Sequence, residues 1–212
     1  MIQIDDAGSG SLIGGTCIGV LRKETMEYYY EIIPIELYRD SAFNEKKYLD
    51  YVVIIVSNLL KKLNVDTTEE IQICRGYMFD NLRKWLSREN YNYLSCKIEE
   101  PLQSIIESTF ENYCLSLGLF KNYIRFNKYP FHFHTILKWV YADYEKRKDL
   151  CKTGWKSWRK YGNLKPSIYE TIALKSNIMC LKCGKEIKRN SKVKAITYIS
   201  NRKTTIIIHD NC

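Results

Sequence analysis

Four residues near the end of the chain are of types that bind a metal ion: Cys180 and Cys183 in Cys-x₂-Cys spacing, then His209 and Cys212 in His-x₂-Cys spacing. Two thiolates separated by two residues can reach one ion at about 2.3 Å, and an imidazole with a third thiolate completes a tetrahedron. Cys180, Cys183, His209 and Cys212 therefore read as a closed, structural zinc site with no position left open for catalysis. Between the half-sites, 193–199 and 204–209 alternate or run apolar around Ser200-Asn201-Arg202-Lys203, the pattern of a hairpin. A ribbon this short has few core residues, so a metal staple is expected. The competing explanation is a chance Cys-x₂-Cys and an unrelated final cysteine. A structural ion holds a surface in place without naming what that surface binds.

A second set combines charge with aromatic rings. Lys152, Trp155, Lys156, Trp158, Arg159 and Lys160 fall in one short run that follows Lys146-Arg147-Lys148. Lysine and arginine neutralise phosphates, while tryptophan and tyrosine stack on unpaired bases. The run is expected to bind nucleic acid, DNA or RNA; a basic linker with tryptophans packed on the core would read the same way. The formal net charge of +9 is unevenly spread, with 12 Lys+Arg against 18 Asp+Glu in residues 1–120 and 21 against 6 in residues 121–212. An acidic half joined to a basic half argues for a polyanionic partner of the second.

Composition narrows the class. No apolar run reaches the roughly eighteen residues of a membrane span, and no basic-then-apolar leader opens the chain. No membrane partner is expected. Cys17, Cys74, Cys96, Cys114 and Cys151 are irregularly spaced among apolar neighbours. They read as core residues of a reduced, cytoplasmic protein and not as a disulfide framework. The phosphate-binding pattern G-x-x-x-x-G-K-[ST] is missing, which excludes a P-loop.

The elements that must position these residues follow from periodicity. Strands are expected at 2–6, 14–20, 27–36, 71–74 and 93–98, the third apolar on both faces as a central strand is. Helices are expected from Tyr48 to Leu63, after a cap at Asp80, from Pro101, and over 131–150, with a looser 118–130. The order is three consecutive strands and then helix–strand alternation. It predicts an antiparallel meander extended by helical crossovers.

That order, with Asp6-Ala7-Gly8-Ser9 closing the first strand and Gly14-Gly15-Thr16-Cys17-Ile18-Gly19-Val20 forming the second, resembles the ribonuclease H-like superfamily, and within it the RuvC-like resolvases. The resemblance covers residues 1–150 as topology and only a short motif as sequence. It implies an α/β fold: a ribonuclease H-like mixed sheet flanked by helices over 1–150, a basic aromatic linker over 151–177 and a zinc ribbon over 178–212. It also implies a nuclease using Mg²⁺ or Mn²⁺, with two ions held between carboxylates. Asp6 is then the first ligand candidate. Asp5 is the alternative, because strand alternation turns only one of the two to the metal. Glu107 and Asp143 would complete the shell, although Glu107 also fits a polar helix face with Glu100 and Glu111, and Asp143 fits a surface charge. His132 and His134 are either further ligands or rings packed at a helix start. Arg75 is either a phosphate contact or an ion-pair partner of the acidic turn.

The fourth strand ends in Cys74-Arg75-Gly76 where such enzymes carry an acid. The alternative is therefore a catalytically inactive module that binds nucleic acid or protein. Resolvases cut two strands symmetrically, so the resemblance also allows a homodimer. The glycine turn is similar to the phosphate-binding turn of actin-like kinases as well, but 212 residues leave no room for their second large domain.

Overall fold

The computed structural model describes all 212 residues and divides into two units. The first comprises Met1–Gly10 with Gly14–Cys114, and the second Ser11–Ile13 with Leu115–Cys212.

The first unit is built on strands β1 (Ile2–Ala7), β2 (Thr16–Arg22), β3 (Glu27–Ile33), β4 (Ile71–Cys74) and β5 (Tyr93–Cys96), in the spatial order β3-β2-β1-β4-β5. β1 runs antiparallel to β2, and β2 to β3, whereas β1–β4 and β4–β5 are parallel. This is the meander with helical additions that the element order requires. Helices α1 (Asp40–Asn44) and α2 (Lys47–Lys62) lead from β3 to β4, α3 (Asp80–Arg88) joins β4 to β5, and α4 (Leu102–Ser116) follows β5.

Alternation divides the sheet's residues between two layers. Ile2, Ile4, Ile18 and Val20 are fully buried in one core with Val52, Ile55, Val56 and Leu59 of α2 and with Leu82 and Leu86 of α3. The opposite face meets α4. A Cβ on Gly19 would lie 2.9 Å from Ile106 Cδ1, and one on Gly8, at φ +87°, only 2.0 Å from Phe110 Cε2. Glycine at both positions is what lets α4 approach the sheet.

β3 is an edge strand and not a central one. Tyr30 is 47% exposed, whereas the Tyr28 hydroxyl donates to Thr109 Oγ1 of α4 at 3.1 Å.

The second unit begins with α5 (Lys121–Phe126), inside the stretch expected to be loose, and α6 (Phe133–Ala142). The single helix expected over 131–150 is broken at Asp143, whose φ −151° and ψ 63° are not helical. It resumes as α7 (Tyr144–Arg147) and a 3₁₀ turn. α8 (Lys156–Tyr161) and β6 (Ser167–Ile172) occupy the expected linker. β6 pairs with β9 (Lys192–Ile199), which pairs with β10 (Lys203–His209), and the short β7 (Ile178–Met179) and β8 (Glu186–Ile187) form a separate ribbon. The division between units thus falls at 114/115 and not at 150, and 151–177 is part of the sheet-bearing second unit. No helix is long and apolar enough to cross a membrane.

Candidate metal centres and basic surface

Cys180 and Cys183 sit on the tight turn between β7 and β8, while His209 ends β10 and Cys212 follows it. Hydrogen bonds from the Gly184 N–H to Cys180 O (2.8 Å) and from the Cys180 N–H to Lys185 O (2.9 Å) close the turn. Gly184 takes φ +76°. The four ligating atoms lie within 4.8 Å of one another. Cys180 Sγ is 3.7 Å from Cys212 Sγ, and His209 Nδ1 is 3.3 Å from Cys183 Sγ and 3.5 Å from Cys212 Sγ. Bonds of about 2.3 Å to sulfur in a tetrahedron give edges of roughly 3.8 Å, so these separations fit a four-coordinate zinc-sized ion.

Surrounding groups fit it too. His209 Nε2 faces the Glu186 carbonyl at 3.2 Å, which directs Nδ1 to the cluster, and the His209 N–H points at Cys180 Sγ at 3.4 Å. Although burial opposes ionisation, hydrogen bonds from the Lys185 N–H, the neighbouring thiols and His209 draw Cys183 down to about 7. Cys212 is pushed up to about 12, by burial first and then by the other two sulfurs. Thiolates placed this close repel one another, and a dication removes that penalty.

Arg147 holds the turn from behind. Its buried guanidinium donates to the carbonyls of Leu181 and Lys182, both at 2.8 Å, and of Trp139, and stacks 3.9 Å from a Trp139 ring. Burial lowers Arg147 to about 10, so it remains charged at neutral pH. Asp143 lies in this neighbourhood, 3.9 Å from Lys182 Nζ and close enough to Arg147 to favour its charge. Its carboxylate is thus engaged by cations of the second unit.

The acids of the first unit separate by alternation. Asp5 pairs across β2 with Gly19 and shares the face covered by α4, whereas Asp6 pairs with Ile18 and shares the α2 face. Asp5 feels the charge of Glu107 on α4 and is hydrogen-bonded by the Cys74 thiol. Burial is the main cause that raises its carboxyl above the usual value; Glu107 adds to this, while the Asp6 N–H (2.8 Å) and Cys74 oppose it. Burial also pushes Cys74 up to about 11, with Asp5 and Asp6 adding to it, so the thiol stays protonated and can donate. Asp6 instead faces Tyr38 and Tyr77, and Gly76 leaves room beside it: a Cβ there would stand 3.9 Å from Asp6 Oδ1. Arg83 pins the end of β4 by donating to Cys74 O (3.0 Å) and Gly76 O (3.2 Å). Asp80 pairs with Arg83 at 2.5 Å and does not cap α3. Arg75 is exposed and forms no ion pair with the acidic turn.

Of the basic aromatic run, Lys152 is fully buried, its ammonium 5.4 Å from the Trp155 ring. Its backbone N–H donates to Leu12 O at 2.8 Å, within the second unit. It belongs to the packing and is withdrawn from the set that meets solvent. Trp155 and Trp158 are half-buried; Lys156, Arg159 and Lys160 are exposed on α8. Sequence reasoning missed Arg147, two of whose carbonyl partners lie 34 and 35 residues away, and Cys74 as the partner of Asp5. Comparison with known protein families and with curated proteins finds no match to this chain.

Proposed function

We propose that the protein is a metal-dependent nuclease with a ribonuclease H-like body and a zinc-stapled basic unit that holds the nucleic acid. The observation that carries this reading is that Asp5, near the end of the central strand of a β3-β2-β1-β4-β5 sheet, lies on the face covered by the helix that follows β5 and feels the charge of Glu107 on it. A part-buried Asp5 and an exposed Glu107 near enough to feel each other's charge repel, and a divalent cation between them would relieve that repulsion. Glu107 was one of the residues expected to complete the shell. Asp5 takes the leading place over Asp6 because it shares a face with Glu107.

The donors fit one hard ion. Mg²⁺ or Mn²⁺ accepts one or two carboxylates and keeps its other positions for water and substrate phosphate. A two-ion site asks for more oxygen than Asp5 and Glu107 supply, and Cys74, protonated and soft, does not make up the difference. The ion would polarise the phosphate and lower the pKa of a bound water. Asp5 and Glu107 would orient it, the Cys74 thiol would hold one Asp5 oxygen in place, and Arg83 would fix the β4 end that carries Cys74. Zinc at Cys180, Cys183, His209 and Cys212 is structural, and Lys156, Arg159 and Lys160 face the backbone of DNA or RNA.

A specific observation favours a second reading. With a thiol where a third acid would complete the site, the same fold serves as a binding module without cleavage. Incubating the protein with duplex DNA, single strands, an RNA–DNA hybrid and a four-way junction, with Mg²⁺ or Mn²⁺, decides between them. Cleavage that vanishes in Asp5→Asn and in Glu107→Gln supports the nuclease. Salt-sensitive binding of these substrates, with no cutting of any of them, leaves the module.

A further inference from the structure

A cavity of about 310 Å³ in the second unit is lined by His132, His134, Thr135 and Lys138 at the start of α6 and by Asn201 and Arg202 on the β9–β10 turn. Every lining residue is a hydrogen-bond donor, four of them can carry positive charge, and no carboxylate is among them. Neither Lys138 nor Arg202 takes part in any of the ion pairs formed elsewhere. Basic groups gathered without an acid repel one another, and only an anion turns that cost into binding. The two imidazoles, ring centres 6.0 Å apart, would suit a metal on their own, but Lys138 and Arg202 beside them disfavour a cation.

We propose that this cavity is a seat for a backbone phosphate of nucleic acid, gripped by His132, His134, Lys138 and Arg202, with the Thr135 hydroxyl and Asn201 amide as neutral donors. Three further observations favour a polyanion. The unit that carries the cavity holds 21 Lys+Arg against 6 Asp+Glu, since its residues before 121 are uncharged. His134 is packed between Phe133 and Tyr161, at 5.2 and 5.3 Å between ring centres, which orders the imidazole before any ligand arrives. Tyr161 ends α8, so the seat adjoins the helix that carries Lys156, Arg159 and Lys160.

The hairpin links this seat to the metal cluster. The ladder runs through seven residue pairs, from Lys203↔Ile199, next to Arg202, to His209↔Val193, where His209 meets the cysteines. The ion therefore fixes the base of the ribbon whose tip supplies Arg202 and Asn201.

The proposal rests on the reading of the protein as one that binds nucleic acid, and the experiment separates the two. Binding of a fluorescein-labelled DNA strand and duplex is followed by anisotropy over a salt titration. The wild-type protein is compared with Lys138→Gln/Arg202→Gln and with Lys188→Gln/Arg189→Gln, an exposed pair outside the cavity that loses the same charge. We expect the cavity pair to weaken binding at least tenfold and to flatten the dependence of log K on log salt by about one for each phosphate no longer neutralised. The control pair should change binding less than threefold. Equal losses in the two pairs, or none in the cavity pair, overturn the seat while leaving nucleic-acid binding intact. Wild-type protein that binds inorganic phosphate or an acidic peptide but no nucleic acid overturns both. Wild-type binding without cleavage removes the nuclease and leaves the seat standing. Unchanged metal content and melting temperature in both variants show that the comparison is made on folded protein.

Discussion

Asp5 is a carboxylate that the fold disfavours. Burial, then the charge of Glu107, holds its proton more tightly in the native state than in the unfolded chain. A raised native pKa contributes stability that is fully present below the unfolded value and is lost as pH rises through the native one. Asp5→Asn should therefore be as stable as the wild type at pH 3 and more stable, with a higher Tm, at pH 7. Thermal melts of both proteins at the two pH values check the sign. Mn²⁺ should raise the wild-type Tm at pH 7 and leave Asp5→Asn unmoved.

His134 carries the opposite linkage. Burial first, then the nearby His132, Arg202 and Lys138, lowers its pKa. An incoming phosphate would restore the proton. Nucleic-acid affinity should rise as pH falls from 8 to 6, and the rise should shrink in His134→Gln.

Among the elements, the turn between β7 and β8 is held by Arg147 as well as by whatever ion its cysteines would bind. Three carbonyls converge on one guanidinium whose planar fork lysine cannot reproduce. Arg147→Ala should cost on the order of 3 kcal/mol and weaken zinc affinity by about 10-fold or more. Arg147→Lys should recover little of either. Competition with a chromogenic chelator reads the affinity and chemical denaturation the stability.

Legibility also differed by element. The Cys₃His cluster could be read because each half-site is local, and the sheet because strand periodicity survives in sequence. Alternation separated Asp5 from Asp6 but could not say which face would receive α4 and Glu107. The break at Asp143 left no trace, since Ala142-Asp143-Tyr144 holds neither proline nor glycine. β6 was hidden because all six of its residues are exposed, so no buried face marks it as a strand. Lys152 read as a phosphate contact because charge in a sequence does not reveal burial.

The division of charge coincides with the division of the fold. Residues 11–13 and 115–120 are uncharged, so the first unit holds 12 Lys+Arg against 18 Asp+Glu and the second 21 against 6. Under the proposed reading, the acidic unit would carry the cation site and the basic unit the phosphate contacts, the two halves a nucleic-acid hydrolase needs. Binding should accordingly fall steeply between 50 and 200 mM salt, with the slope of log K against log salt counting the phosphates neutralised, about 0.9 for each on a duplex. Removing zinc with a chelator should weaken binding as well, because His209 and Arg202 lie at opposite ends of one hairpin.

The claim on which the rest depends is that Asp5 and Glu107 hold a divalent ion. We would titrate Mn²⁺ into the zinc-loaded protein with duplex DNA bound, reading free Mn²⁺ by electron paramagnetic resonance. The account predicts one bound ion in the wild type and in Asp6→Asn, and none in Asp5→Asn or Glu107→Gln. The same binding in all four proteins, or none in the wild type, would contradict it.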